Sequence, residues 1–196
     1  PLGNRLLYWF ASAVLWLACW RVDACLLDVP KYVLIIAPHT SNWDGIFLFL
    51  AEAVHTYGFY TVRMSFLAKN SLFRPPLGWL MTWLGGIPVD RRSRHALVDQ
   101  VIDAFNGRER LIIGITPEGT RKKNRYWKTG FYYIALGAGV PIRLAFADYQ
   151  RKVAGTGPTI YPSGDIQADM VQIREFYRDI PARHPERVSN IDVRTD

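Results

Sequence analysis

His39 and Asp44 lie within one short polar stretch, "APHTSNWDG" (37–45), set between the apolar runs "YVLII" and "IFLFL". Thr40, Ser41 and Asn42 are natural helix N-caps, so a helix is expected to begin there, with His39 just ahead of it and Asp44 in its first turn. From that position a carboxylate can reach back to the imidazole, hold it in one tautomer and stabilise its protonated form. That is the arrangement of a general base working without a serine or cysteine nucleophile. The plainer alternative is a satisfied loop histidine beside an aspartate that favours the helix dipole.

Two further loops concentrate unusual residues. In "TPEGTRKK" (116–123), Pro117 and Gly119 force a tight turn, Glu118 leaves a strand edge, and Arg121, Lys122 and Lys123 form a positive field. Glycine lets backbone amides approach an anion, and arginine grips phosphate through its planar fork. "GGIPVDRRSR" (85–94) delivers Arg91, Arg92 and Arg94 at another strand end. Each loop also admits a bland reading, as a turn with a solvated basic rim or as a charged entry to a helix.

Placing these loops together requires strands whose carboxyl ends share one edge. The pattern predicts strands at 32–37, 61–68, 86–90, 110–116 and 141–149, with a short one near "TIYPSG". It predicts helices at 43–58, 76–84, 93–106, 129–138 and 165–178. Strands alternating with helices imply a single α/β domain, a mixed and largely parallel sheet flanked by helices, with strand-end loops opening on one crevice. The expected division is an N-terminal membrane-associated helix at 4–22, the α/β domain at 30–180 and a loosely held polar tail at 181–196.

Residues 6–20, "LLYWFASAVLWLACW", are apolar and flanked by Arg5 and Arg21. As a helix this run covers about 22 Å, short of a hydrocarbon core of roughly 30 Å. It reads as an amphipathic or membrane-embedded helix lying in one leaflet. A buried core helix and a signal peptide are the alternatives. The opening Pro-Leu-Gly reads as a trimmed fragment or a tag remnant, so no function rests on it.

Over the 196 residues, 49% hydrophobic content excludes general disorder, and a formal charge of +7 favours an anionic partner. Tryptophan at 9, 16, 20, 43, 79, 83 and 127 shifts that preference toward lipid. Nucleic acid is disfavoured, since the arginines sit at glycine turns and no nucleic-acid motif is present. Cys19 and Cys25 cannot build a disulfide framework or a zinc site and read as buried or membrane-facing thiols. No metal is expected.

Taken in order, His39-x4-Asp44, "GIPVDR" ending at Arg91, "PEGTR" (117–121) and "VPI" (140–142) resemble the motif series of the glycerolipid acyltransferases of the 1-acylglycerol-3-phosphate acyltransferase type. "WKTGFYYIA" (127–135) is similar to the Lys-x-Gly helix start that follows the third motif. The chain departs after Val-Pro-Ile, where Arg143-Leu144-Ala145-Phe146 replaces a hydrophobic residue and a second proline, and at Thr116, where an aromatic is usual.

The resemblance implies His39 as general base and Asp44 as its orienting partner. It implies Arg91, Glu118, Gly119, Thr120 and Arg121 for acceptor phosphate binding, with Lys128 and Pro141 as secondary candidates. Backbone amides at Ser41 and Asn42 are candidates for oxyanion support. The implied reaction moves a fatty acyl group from an acyl-CoA or acyl carrier protein thioester to a lysophospholipid hydroxyl, with no cofactor. The implied partners are membrane phospholipid and the two substrates, and the implied location is the inner membrane, peripheral or monotopic, with the active site facing the cytoplasm. A thioesterase or lipid hydrolase, and a non-catalytic module binding anionic lipid, are the competing expectations. Acyl chain length, the exact acceptor and oligomeric state are not set by the sequence.

Overall fold

The computed structural model describes residues 2–23, 29–59, 64–90 and 94–194. Seven strands form one sheet in the order β1-β7-β6-β2-β5-β3-β4. They are β1 (Arg21–Asp23), β2 (Lys31–Ile36), β3 (Met64–Lys69), β4 (Gly86–Val89), β5 (Leu111–Ile115), β6 (Ile142–Asp148) and β7 (Val153–Ile160). Every neighbouring pair is parallel except β6 and β7. The expected mixed, largely parallel sheet is therefore the one observed. The helices are α1 (Leu2–Leu17), α2 (Asn42–Phe59), α3 (Gly78–Trp83), α4 (Arg94–Asn106), α5 (Gly130–Ala138) and α6 (Ile166–Tyr177).

Sheet order fixes the layering. The β2-α2-β3 and β3-α3-β4 crossovers advance toward the β4 edge, whereas β4-α4-β5 and β5-α5-β6 return. Right-handed connections put α2 and α3 on one face and α4 and α5 on the other. The larger core lies under α4, α5 and α6, where Val33, Ile35, Ile113, Ile142 and Leu144 project from the sheet against Phe105, Phe131, Tyr132 and Ile173. Alternation within β2 follows from this, because Val33 and Ile35 are buried while Leu34 and Ile36 are half-buried on the opposite face. The smaller core joins α1 to α2: Ala11, Leu15 and Trp20 pack with Phe47, Leu50 and Ala147.

Several expectations are corrected. The N-terminal helix, expected at 4–22, ends at Leu17, and Arg21–Asp23 is a short strand parallel to β7. α1 itself is two-sided: Ala11 and Leu15 are buried against α2 while Trp9, Phe10 and Trp16 are exposed. The last strand is not a short piece near "TIYPSG" but eight residues, Val153–Ile160. Gly155 stands there because a Cβ would run into the Asp23 carbonyl of β1, and glycine in a strand reads from composition as a turn.

The tail is docked rather than loose. Val193 bridges to Trp127, the Trp127 amide donates to the Asp192 carbonyl at 2.8 Å, and Ser189 and Val193 are buried. Cys19 is exposed with φ 59, not buried. Cys25 lies outside the described residues.

Candidate active site

The loop after β2 carries the expected pair, and its local structure is a capping box. Ser41 caps α2, its Oγ accepting the Trp43 amide at 3.2 Å. Asp44, three residues on, returns the favour: its Oδ2 accepts the amides of Thr40 and Ser41, each at 2.7 Å. His39 Nδ1 faces the same Oδ2 at 3.5 Å. That is a charge contact longer than a well-formed hydrogen bond. Nδ1 is buried with no other hydrogen-bond partner among the described residues, so the side chain's 20% exposure comes from its other atoms.

Asp44 is fully buried, which pushes its carboxyl up. Contacts from the His39 imidazole, the Tyr149 hydroxyl and the two amides outweigh burial and leave it below its ordinary value. The tyrosine comes from the β6–β7 turn, and its hydroxyl donates to Asp44 Oδ1 at 2.6 Å. Both carboxylate oxygens are thus engaged. Burial, and then the bond to Asp44, raise the Tyr149 pKa, so its hydroxyl keeps its proton and remains a donor.

Glu118, from the loop after β5, lies beneath the histidine. It is 1% exposed, and its Oε2 accepts the His39 amide at 2.9 Å. Burial raises its carboxyl to about 7; the His39 amide opposes that shift and the nearby Asp44 charge adds to it. This geometry makes Glu118 a brace of the histidine loop, tying the end of β2 to the end of β5. Gly119 has φ +67, and a Cβ there would come within 2.5 Å of Lys128 Nζ. Lys128 therefore lies over the glycine, with its amide on the Pro117 carbonyl at 2.8 Å. Thr120 and Arg121 are exposed in the same turn, where the Thr120 hydroxyl accepts the Lys122 amide at 3.3 Å.

Not every expected residue joins this cluster. The Ser41 amide is committed to Asp44, so it is not an oxyanion donor in this arrangement; Asn42 is exposed in the first turn of α2, where amides lack helical acceptors. Pro141 is buried at the entering end of β6, its carbonyl accepting the Val33 amide at 3.0 Å, on the sheet edge opposite the site. Arg91 lies outside the described residues. Among those residues no cluster of histidine, cysteine and carboxylate side chains is arranged to hold a metal ion.

Several contributors were not anticipated. Tyr149 is one, although it stands at a strand end like His39, and the same strand-end argument could have found it. The tail supplies others: the Pro181 carbonyl accepts the Tyr149 amide at 3.2 Å, the His184 amide donates to Thr40 Oγ1 at 3.3 Å, and the Arg183 guanidinium sits 5.5 Å from the Trp43 ring and 5.8 Å from Tyr149. Tyr177, on α6, bonds the carbonyls of Ile35 and Ala145 at 3.1 and 3.0 Å beneath the site. Polar spacing in a tail gives no sign of such docking.

A histidine–aspartate pair and a glycine turn are thus brought to one edge of a mixed, largely parallel α/β sheet by the loops after β2 and β5. The chain belongs to the acyltransferase family, whose model matches residues 27–143. It is 33% identical over 123 residues to the 1-acyl-sn-glycerol-3-phosphate acyltransferases of Salmonella typhimurium and Escherichia coli, covering 59% of this chain and 47% of each relative. The Haemophilus influenzae enzyme of the same name is 31% identical over 114 residues, covering 55% and 44%. The chain thus spans about half the length of the relatives it matches. The crystal structure of the 1-acyl-sn-glycerophosphate (LPA) acyltransferase PlsC from Thermotoga maritima shares the fold, with a TM-score of 0.56 at 15% identity, covering 92% of this chain and 81% of that one.

Proposed function

We propose that this protein transfers a fatty acyl group from a thioester, on coenzyme A or acyl carrier protein, to the hydroxyl of a lysophospholipid-type acceptor such as 1-acylglycerol-3-phosphate. The observation that carries this reading is the buried Asp44, held ionised by three donors and facing His39 Nδ1 at 3.5 Å. With Nδ1 turned to the carboxylate, Nε2 takes the hydroxyl proton as the oxygen attacks the thioester carbonyl. Asp44 offsets the charge that develops on the ring. The C–S bond then breaks, and the imidazolium returns its proton to the leaving thiolate. No acyl-enzyme and no cofactor are invoked, because the thioester is already activated and both substrates are held together.

In this reading Arg91 and Arg121 receive the acceptor phosphate beside Gly119, and the acceptor keeps its tail in lipid. Among the described residues no helix is long and apolar enough to cross a membrane. A peripheral or monotopic position on the inner membrane, active site toward the cytoplasm, suits the exposed apolar side of α1. The test is acyl transfer from a long-chain thioester to lysophosphatidic acid in detergent micelles. Well-folded His39→Ala protein is expected to lose at least about a hundredfold in turnover, and near-native turnover would remove His39 as the base.

A further inference from the structure

We infer that residues 69–83, the turn and short helix between β3 and β4, form a second bilayer-contacting surface that acts together with α1. The inference rests on the membrane-associated reading above and adds to it a place and a lipid charge. Five tryptophans are exposed: Trp9 and Trp16 on α1, Trp43 on α2, and Trp79 and Trp83 on α3, at 64%, 75%, 48%, 73% and 55%. The right-handed crossovers put α2 and α3 on one face of the sheet, and α1 packs on α2. All five exposed indoles therefore belong to one layer. The remaining two, Trp20 and Trp127, are buried. Tryptophan favours headgroup depth, where its ring is apolar and its N–H stays wet.

Charge sorts the same way. The described residues of α1, α2 and 69–83 hold two carboxylates: Asp44, fully buried, and Glu52, half-buried with its Oε1 accepting the Met64 amide at 3.0 Å. Lys69 and Arg74 are exposed within the second surface, beside exposed Leu72 and Leu77. The opposite layer instead exposes Asp99, Asp103, Asp165 and Glu175. A surface of tryptophan and leucine, with cations and no exposed carboxylate, fits an anionic phospholipid bilayer. A protein partner of opposite charge would meet the same cations, but would not call for indoles spread over three helices.

The experiment measures co-sedimentation of the full chain with phosphatidylcholine vesicles containing phosphatidylglycerol. Trp79→Ser/Trp83→Ser protein, with native circular dichroism, is expected to bind these vesicles at least about tenfold more weakly. Arg74→Glu is expected to weaken binding to anionic vesicles while leaving the weaker binding to pure phosphatidylcholine unchanged. Wild-type binding by the double tryptophan variant overturns the inference. So does a concentration-dependent dimer in sedimentation velocity that the double variant abolishes, because the occupant would then be a second copy.

Turnover separates this proposal from the catalytic one. The double variant is expected to keep wild-type turnover on a micelle-dispersed acceptor and to lose it on a vesicle-embedded acceptor. Loss of vesicle binding in a protein with no acyl transfer at all would uphold the surface and sink the catalytic reading.

Discussion

Asp44 has more donors than a simple orienting carboxylate needs, and one of them can be removed without touching His39. Tyr149→Phe deletes the 2.6 Å bond to Oδ1 and leaves the ring packed against Trp20. A buried hydrogen bond to a charged group is worth about 2 kcal/mol, so the variant should be less stable by that order in urea unfolding. Its kcat should fall several-fold with acceptor KM unchanged, since the tyrosine acts through Asp44 and not on substrate. An equal loss in KM would place Tyr149 against the substrate instead.

Glu118 makes a prediction of opposite sign. Its folded pKa, about 7, exceeds the ordinary 4.5, so between those values the folded chain keeps a proton that the unfolded chain has lost. Stability contributed by this group is full below 4.5 and is lost as pH rises through 7. Glu118→Gln, whose amide oxygen can still accept the His39 amide, should therefore be more stable than the parent in urea unfolding at about pH 8, by up to ~3 kcal/mol. The gain should vanish near pH 4.5. A variant less stable than the parent at the alkaline end would show that the carboxylate is the favoured form.

At the scale of elements, the tail changes most between sequence and structure. Deleting residues from Arg183 onward removes the His184 amide from Thr40, strips Trp127 of its bridge to Val193, and exposes the large core at that point. Such protein should unfold several degrees lower in a thermal scan and lose most acyl transfer although His39, Asp44 and Glu118 are all present; parental activity would make the tail dispensable. The elements that were legible are those with a strong period. β2, β5 and β6 are β-branched or apolar runs, and α2, α4 and α6 end within one or two residues of their capping signals. β1 is only three residues long, and β7 contains Gly155, Gly157 and Pro158, which read as turn residues. Among the described residues β1 pairs with β7 only as far as Gly155, and Pro158 lies beyond that pairing.

For the whole molecule, the meeting of the loops after β2 and β5 was legible because parallel strands send their loops to one edge, and that rule works from sequence order alone. His39, Asp44, Glu118 and Gly119 were found in this way. Tyr149, at the end of β6, obeys the same rule, but Arg183 and Tyr177 reach the site through docking of the tail and of α6, contacts far apart in the chain. The layering has a consequence for motion as well as for contact. Among the described residues the α1–α3 helices expose no carboxylate whereas α4 and α6 expose Asp99, Asp103 and Glu175, so the two helix layers differ in charge. On the proposed reading, an anionic bilayer attracts the α1–α3 layer ahead of the α4–α6 layer, and added salt is expected to slow arrival at vesicles.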